Sequence, residues 1–226
     1  MQEEITKHSK KIYKTVKNTE HKFGEKVKEI IVEICIIVFA VTISIWFHSM
    51  SEKSHQREEA KEFLTDLNQD LNQDILLMET YSTRLKSFNK NLEKVNQYKS
   101  NYEEFKKLKI NPLPPFINRE TSTGDYDGFK SSGKIGYIEN KKLKSAILKY
   151  YQQNMLRLAN AEKFFGNLSV ETSLRVTDKG MESVIDDSNI SRLNILGGMS
   201  TEILQVYDQQ IKAANEIIKE IEKETK

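Results

Sequence analysis

The stretch Ile30-Ile31-Val32-Glu33-Ile34-Cys35-Ile36-Ile37-Val38-Phe39-Ala40-Val41-Thr42-Ile43-Ser44-Ile45-Trp46-Phe47 carries one charged side chain. At about 1.5 Å rise per residue it nearly matches a hydrocarbon core of roughly 30 Å. A helix that is apolar all round over such a length has no polar face to turn to water, so it is read as a transmembrane helix over residues 30–50. Glu33 lies about one turn inside its N-terminal end, within reach of headgroups or of Lys26 and Lys28, and Trp46 sits near the opposite interface, where an amphipathic ring is favoured. A cleavable signal peptide would have a shorter apolar region and a small-residue cleavage site; here the stretch runs into Phe47-His48-Ser49-Met50-Ser51, so the span is expected to stay attached.

Charge orients it. Residues 1–29 hold eight Lys against five Glu, while the first stretch beyond the span mixes Lys53, Arg57 and Lys61 with Glu52, Glu58, Glu59 and Glu62. The positive-inside rule then places the N-terminus in the cytoplasm and exports residues 51–226. That exported part carries 27 basic and 27 acidic residues, and a neutral body lacks the basic excess with which nucleic-acid-binding proteins displace counterions from phosphates. The single cysteine, Cys35, excludes a disulfide framework and a thiolate metal site within one chain.

Before the span, Ile5, Ile12, Val16, Phe23, Val27 and Ile30 recur at helical spacing, which makes residues 1–29 a basic amphipathic cytoplasmic segment. Beyond the span no Gly or Pro occurs until Pro112, so one helix is expected to continue to about Leu108, a coiled-coil-like stalk over residues 51–110. Its seam, Leu64, Leu67, Leu71, Ile75, Met78, Tyr81, Leu85, Phe88, Leu92, Val95, Tyr98, Tyr102 and Phe105, follows steps of three and four, with an extra half-step near Leu71 to Ile75 that breaks their alternation. It is expected to pack against the C-terminal half of its own chain, the alternative being another copy. Asn111-Pro112-Leu113-Pro114-Pro115 ends the stalk.

Residues 111–226 read as a helical bundle region: a short helix from Tyr126 to Ser132 stopped by Gly133, a longer one capped by Asn140 and running to about Phe165, a weaker pattern over 170–195 interrupted by Gly180 and by Gly197-Gly198, and a last helix with Ile203, Val206 or Tyr207, Ile211, Ala214, Ile218 and Ile221 on one side. The fold class is therefore all-α, a single N-terminal transmembrane helix continuing into a long stalk with an exported antiparallel bundle.

The run Glu33–Ile43, the segment Phe63-Leu64-Thr65-Asp66-Leu67-Asn68-Gln69-Asp70-Leu71, the stretch Phe129-Lys130-Ser131-Ser132-Gly133-Lys134-Ile135-Gly136-Tyr137-Ile138-Glu139-Asn140-Lys141-Lys142-Leu143 and the pair Tyr150-Tyr151 resemble, in this order, an uncharacterised family of small single-pass membrane proteins common in Bacteroidota. The likeness covers about residues 25–160. In that family an acidic residue opens the span, a small residue, here Ala40, lies near its middle, and a serine-glycine turn precedes an Asn-capped helix ending in paired tyrosines. The chain departs from the pattern with Met50 where the family has its exit tryptophan, which moves the depth of the span by about a turn. The resemblance implies a bacterial inner-membrane protein with a periplasmic C-terminal region, and it implies no activity.

Three patterns imitate functional sites. Gly128-Phe129-Lys130-Ser131-Ser132-Gly133-Lys134-Ile135 follows a Walker A loop until Ile135, which has no hydroxyl for magnesium, and the polar Asn118–Asp125 stretch before it is no buried strand. Thr123-Gly124-Asp125-Tyr126-Asp127-Gly128 opens like a calcium loop, but Thr123 replaces its first carboxylate and Lys134 its bidentate glutamate. His48, Glu52, His55 and Glu59 share one helix face, read as solvated juxtamembrane residues. No HExxH, Ser/His/Asp set or Cys/His pair is present outside the span, so the chain is not expected to be an enzyme, and no catalytic, cofactor-binding or metal-ligating residue and no cofactor is assigned. The expected role is a membrane-anchored structural or interaction protein of the envelope, whose partners are the lipid bilayer and either an envelope protein or another copy of the chain, with no nucleic acid. The alternative is an exported sensor or small-ligand-binding bundle signalling through the span to a separate cytoplasmic partner.

Overall fold

The computed structural model describes residues 2–17 and 23–225, which form two units, 1–58 and 59–226. Secondary structure is helical, with no strand among the described residues.

In the first unit, α1 (Gln2–Lys17) precedes α2 (Phe23–Gln97), and α2 is long and apolar enough to cross a membrane. Its most apolar 18-residue window has a mean hydropathy of 2.7 and is only 6% buried. Phe39, Ile45 and Trp46 are 68%, 64% and 58% exposed. The hydroxyls within this stretch are satisfied inside the helix, Thr42 Oγ1 donating to the Val38 carbonyl (2.7 Å) and Ser44 Oγ to that of Ala40 (2.8 Å), as lipid would require. Glu33 is the exception to the exposure, being buried against α1. Lys11 Nζ lies 2.7 Å from Glu33 Oε1 and His8 Nδ1 contacts Oε2, so α1 supplies a counter-charge to Glu33. The side chains of Lys26, Ile5, Val16 and Phe23 lie outside the described residues.

In the second unit, Phe63, Leu64, Leu67, Leu71, Met78, Leu85, Phe88, Leu92 and Val95 of α2 are buried within the single chain. The helix ends at Gln97, earlier than the expected Leu108. A turn over 98–100 leads to Asn101, whose side chain accepts from Glu104 N and starts a separate short helix, α3 (Tyr102–Lys107). A local cap has thus broken a stretch that contains neither Gly nor Pro. Lys109, with φ 51°, then redirects the chain.

Residues 110–123 form an extended strap that returns along α2. The Asn111 carbonyl accepts from Asn91 Nδ2 (2.9 Å) and the Asn118 carbonyl from Tyr81 Oη (3.1 Å), and by Lys134 the chain has come back to Glu59 (2.9 Å). Pro112 and Pro114 are buried in the strap. A prolyl residue brings no N–H that would need a partner there, which lowers the cost of burying irregular backbone.

Next, α4 (Gly124–Ser131) packs Tyr126 on Tyr151 (ring centroids 4.4 Å) and Phe129 on Phe63 (4.0 Å), and Gly133, at φ 78°, ends it. A 3-10 turn (Lys134–Tyr137) leads to α5 (Lys141–Lys149), where the Asn140 side chain accepts from the N–H groups of Lys142 and Leu143. A π-helical turn over Tyr150–Met155 joins α5 to α6 (Leu156–Lys179). Its wider turn buries both tyrosines, Tyr150 and Tyr151, where an α-helical face would take one. The helix also continues past the expected end at Phe165; Gly166 lies under the strap, where a Cβ would sit 3.4 Å from the Ile117 carbonyl oxygen.

Gly180, at φ 90°, stops α6, and after a 3-10 turn (Met181–Ile185) the last helix, α7 (Asp187–Thr225), runs straight through Gly197-Gly198. The expected break there is absent because Gly197 faces Leu92; a Cβ built on it would lie 2.5 Å from Leu92 Cδ2. The contacts Glu171–Arg192, Glu162–Tyr207 and Asn140–Glu224 show α7 running antiparallel to α5 and α6 along its length. Asn96–Asn194 and Asn89–Thr201 place it antiparallel to α2 as well.

Candidate functional site

The half-step in the α2 seam has a physical cause. Steps of three and four continue through Leu71, Asp74 and Met78, and the inward position belongs to Asp74, with no side-chain exposure, while Ile75 is only partly buried. The same substitution occurs on α6, where Glu162 stands between Leu158 and Phe165 on the buried face. Two carboxylates in the core would be costly without a counter-charge. Arg119, carried in by the strap, supplies it.

Arg119 Nε and Nη2 donate to the two carboxylate oxygens of Glu162 at 2.8 and 3.2 Å, and Nη1 reaches Asp74 Oδ1 at 3.4 Å. The fork-to-fork pair with Glu162 uses the planar geometry that only arginine provides. Tyr207 Oη, from α7, donates to Glu162 Oε1 at 2.6 Å. One buried cluster thereby ties together α2, the strap, α6 and α7. Burial pushes the carboxyl of Asp74 up to about 6, and the neighbouring charges of Asp70 and Glu162 add to it, against the opposing pull of Arg119 and the Ser122 backbone N–H. Burial likewise raises the hydroxyls of Tyr150, Tyr151 and Tyr207 well above the usual phenol range. Chemically, the one hydroxyl that a carboxylate holds, that of Tyr207 on Glu162, is fully buried and made harder to ionise, so the cluster is an anchor, in which burial shifts the Asp74 carboxyl towards neutrality.

The imitated motifs are placed elsewhere. Gly128–Ile135 spans the end of α4 and the following turn, no strand precedes it, and Lys134 is drawn to Glu59. Asp125 and Asp127 lie in the first turn of α4, a helix rather than a cation loop. His48, Glu52 and His55 lie along α2, and among the described residues no group of three or more His, Cys, Asp or Glu is arranged to hold a metal. Periodicity marks Tyr207 as a position on the apolar side of the last helix but picks out none of Asp74, Arg119 and Glu162. Their signal was a charged residue standing in the apolar register of a helix, twice.

Residues 29–189, more than two thirds of the chain, match a family of unknown function (DUF6090), and the chain belongs to it. No curated protein and no solved structure matches the chain.

Proposed function

We propose that this member of the family is a membrane-anchored helical interaction protein of the bacterial envelope. Its N-terminus is cytoplasmic, α2 crosses the inner membrane, and residues 59–226 act as a periplasmic antiparallel bundle. The observation that carries the reading is the contrast along α2: over 31–47 large apolar side chains are exposed, whereas from Phe63 onward the apolar stripe is covered by the chain itself. Each fully exposed Ile or Phe forgoes about 1.5–3 kcal/mol of burial, so the first stretch needs lipid and the second does not. Eight Lys ahead of the stretch support the orientation. The buried cluster holds helices together and is closed to substrate, which supports an interaction role over catalysis.

The test has two parts. A tag after Lys226 is expected to become accessible to protease once the outer envelope is opened; digestion only from the cytoplasmic face of inverted vesicles would refute the orientation. Crosslinking in intact membranes with mass spectrometry is expected to join the exported region to a protein, either another copy or an envelope partner, and its failure to do so would refute the interaction role. A second reading, an exported sensor, draws on Asp74, whose charge changes near pH 6 where α2, the strap, α6 and α7 meet.

A further inference from the structure

Of the seams between the long helices, the one between α2 and α6 is crossed by the strap, which lies over Gly166. The seam between α5–α6 and α7 is open. It forms a groove in two parts, about 830 Å³ beside Tyr150 and about 390 Å³ beside Phe164. Small residues, Ala146 and Ala213 in the first part and Ala161 in the second, line it, and Phe164 stands in the second part 65% exposed.

The two rims differ in charge. The α5–α6 rim contributes Lys142, Lys149 and Arg157 and no carboxylate, whereas the α7 rim contributes Glu202, Glu216, Glu220 and Glu222 against Lys219 and Lys223. Among the described residues none of Lys142, Lys149, Arg157, Glu202 and Glu216 forms an ion pair within the chain. The antiparallel pairing that joins Asn140 to Glu224 and Glu162 to Tyr207 sets Lys142 level with Glu222 and Lys149 level with Glu216.

We propose that this groove is closed by the same groove of a second copy, about a two-fold axis parallel to α6 and α7. Such an axis lays the basic rim of each chain over the acidic rim of the other at the same level, Lys142 on the copy's Glu222 and Lys149 on the copy's Glu216, and brings Phe164 over the copy's Val206. A perpendicular axis would set basic rim on basic rim, which repels. The proposal rests on the interaction reading above and names its partner.

Its test is the mass of the full chain in detergent micelles by light scattering, over a range of protein concentration. The wild type is expected to be dimeric. Phe164→Asp and Lys149→Glu, both at exposed positions, are each expected to raise the dimer Kd at least about tenfold, because every substitution acts at two symmetric places. The double reversal Lys149→Glu with Glu216→Lys is expected to restore it to within about threefold of the wild type. Unchanged near-ultraviolet circular dichroism of the buried tyrosines verifies that each variant is folded. A monomeric wild type, a dimer indifferent to these changes, or a loss that the double reversal fails to restore would each overturn the proposal. A photocrosslinker at position 164 in intact membranes separates the two readings: capture of the chain itself supports the dimer, capture of a different protein overturns it while leaving the interaction role standing, and capture of nothing overturns it as well.

Discussion

Asp74 couples the stability of the core to pH. Its carboxyl titrates near 6 in the folded chain and near 3.8 when unfolded. Between those values the folded state keeps the proton and the unfolded state has lost it, so the contribution is present in full below about pH 4 and is lost as pH rises through 6. A gap of about two pH units, at roughly 1.4 kcal/mol each, makes the loss about 3 kcal/mol. Asparagine mimics the protonated carboxyl in shape and donates where the acid would, and Arg119 keeps its two hydrogen bonds to Glu162 in either case. Asp74→Asn is therefore expected to match the wild type near pH 4 and to exceed it by as much as about 3 kcal/mol at pH 7. The assay is urea unfolding of the full chain in micelles across this range, followed by near-ultraviolet circular dichroism. Tyr150, Tyr151 and Tyr207 are buried and report core packing, whereas Trp46 lies in the apolar stretch and does not. Taking the difference between variant and wild type cancels the other carboxylates. A difference independent of pH, or one that grows as pH falls, would refute the reasoning.

Two further outcomes test the packing. Leu92, 7% exposed, sits in the part of the seam that the chain covers itself, so Leu92→Asp is expected to cost several kcal/mol and to abolish the near-ultraviolet tyrosine signal; a folded variant that merely changed its oligomeric state would contradict the intramolecular assignment. Gly197→Ala gains about 1 kcal/mol of helix propensity but meets Leu92 Cδ2 at 2.5 Å, an overpacking worth about 1–3 kcal/mol, so the change is expected to destabilise the wild type and to stabilise the Leu92→Ala background in thermal melts, the same sign in both backgrounds refuting the contact.

Local chemistry in the sequence determined where this chain is apolar, where it is helical and where several helices begin and end. The apolar stretch of α2, the Asn140 cap and the stops at Gly133 and Gly180 follow from interactions between residues a few positions apart, and a linear reading finds them. Tertiary structure decided the rest. The passage of α7 through Gly197-Gly198 and the burial of both Tyr150 and Tyr151 depend on what lies across from each residue, which periodicity does not carry. The central cluster is the clearest case. Arg119 stands in a polar, irregular stretch and meets Asp74 and Glu162 across separations of 45 and 43 residues. A buried charge is tolerated only where its counter-charge arrives in space, and the strap that brings it there is set by the packing of the whole unit.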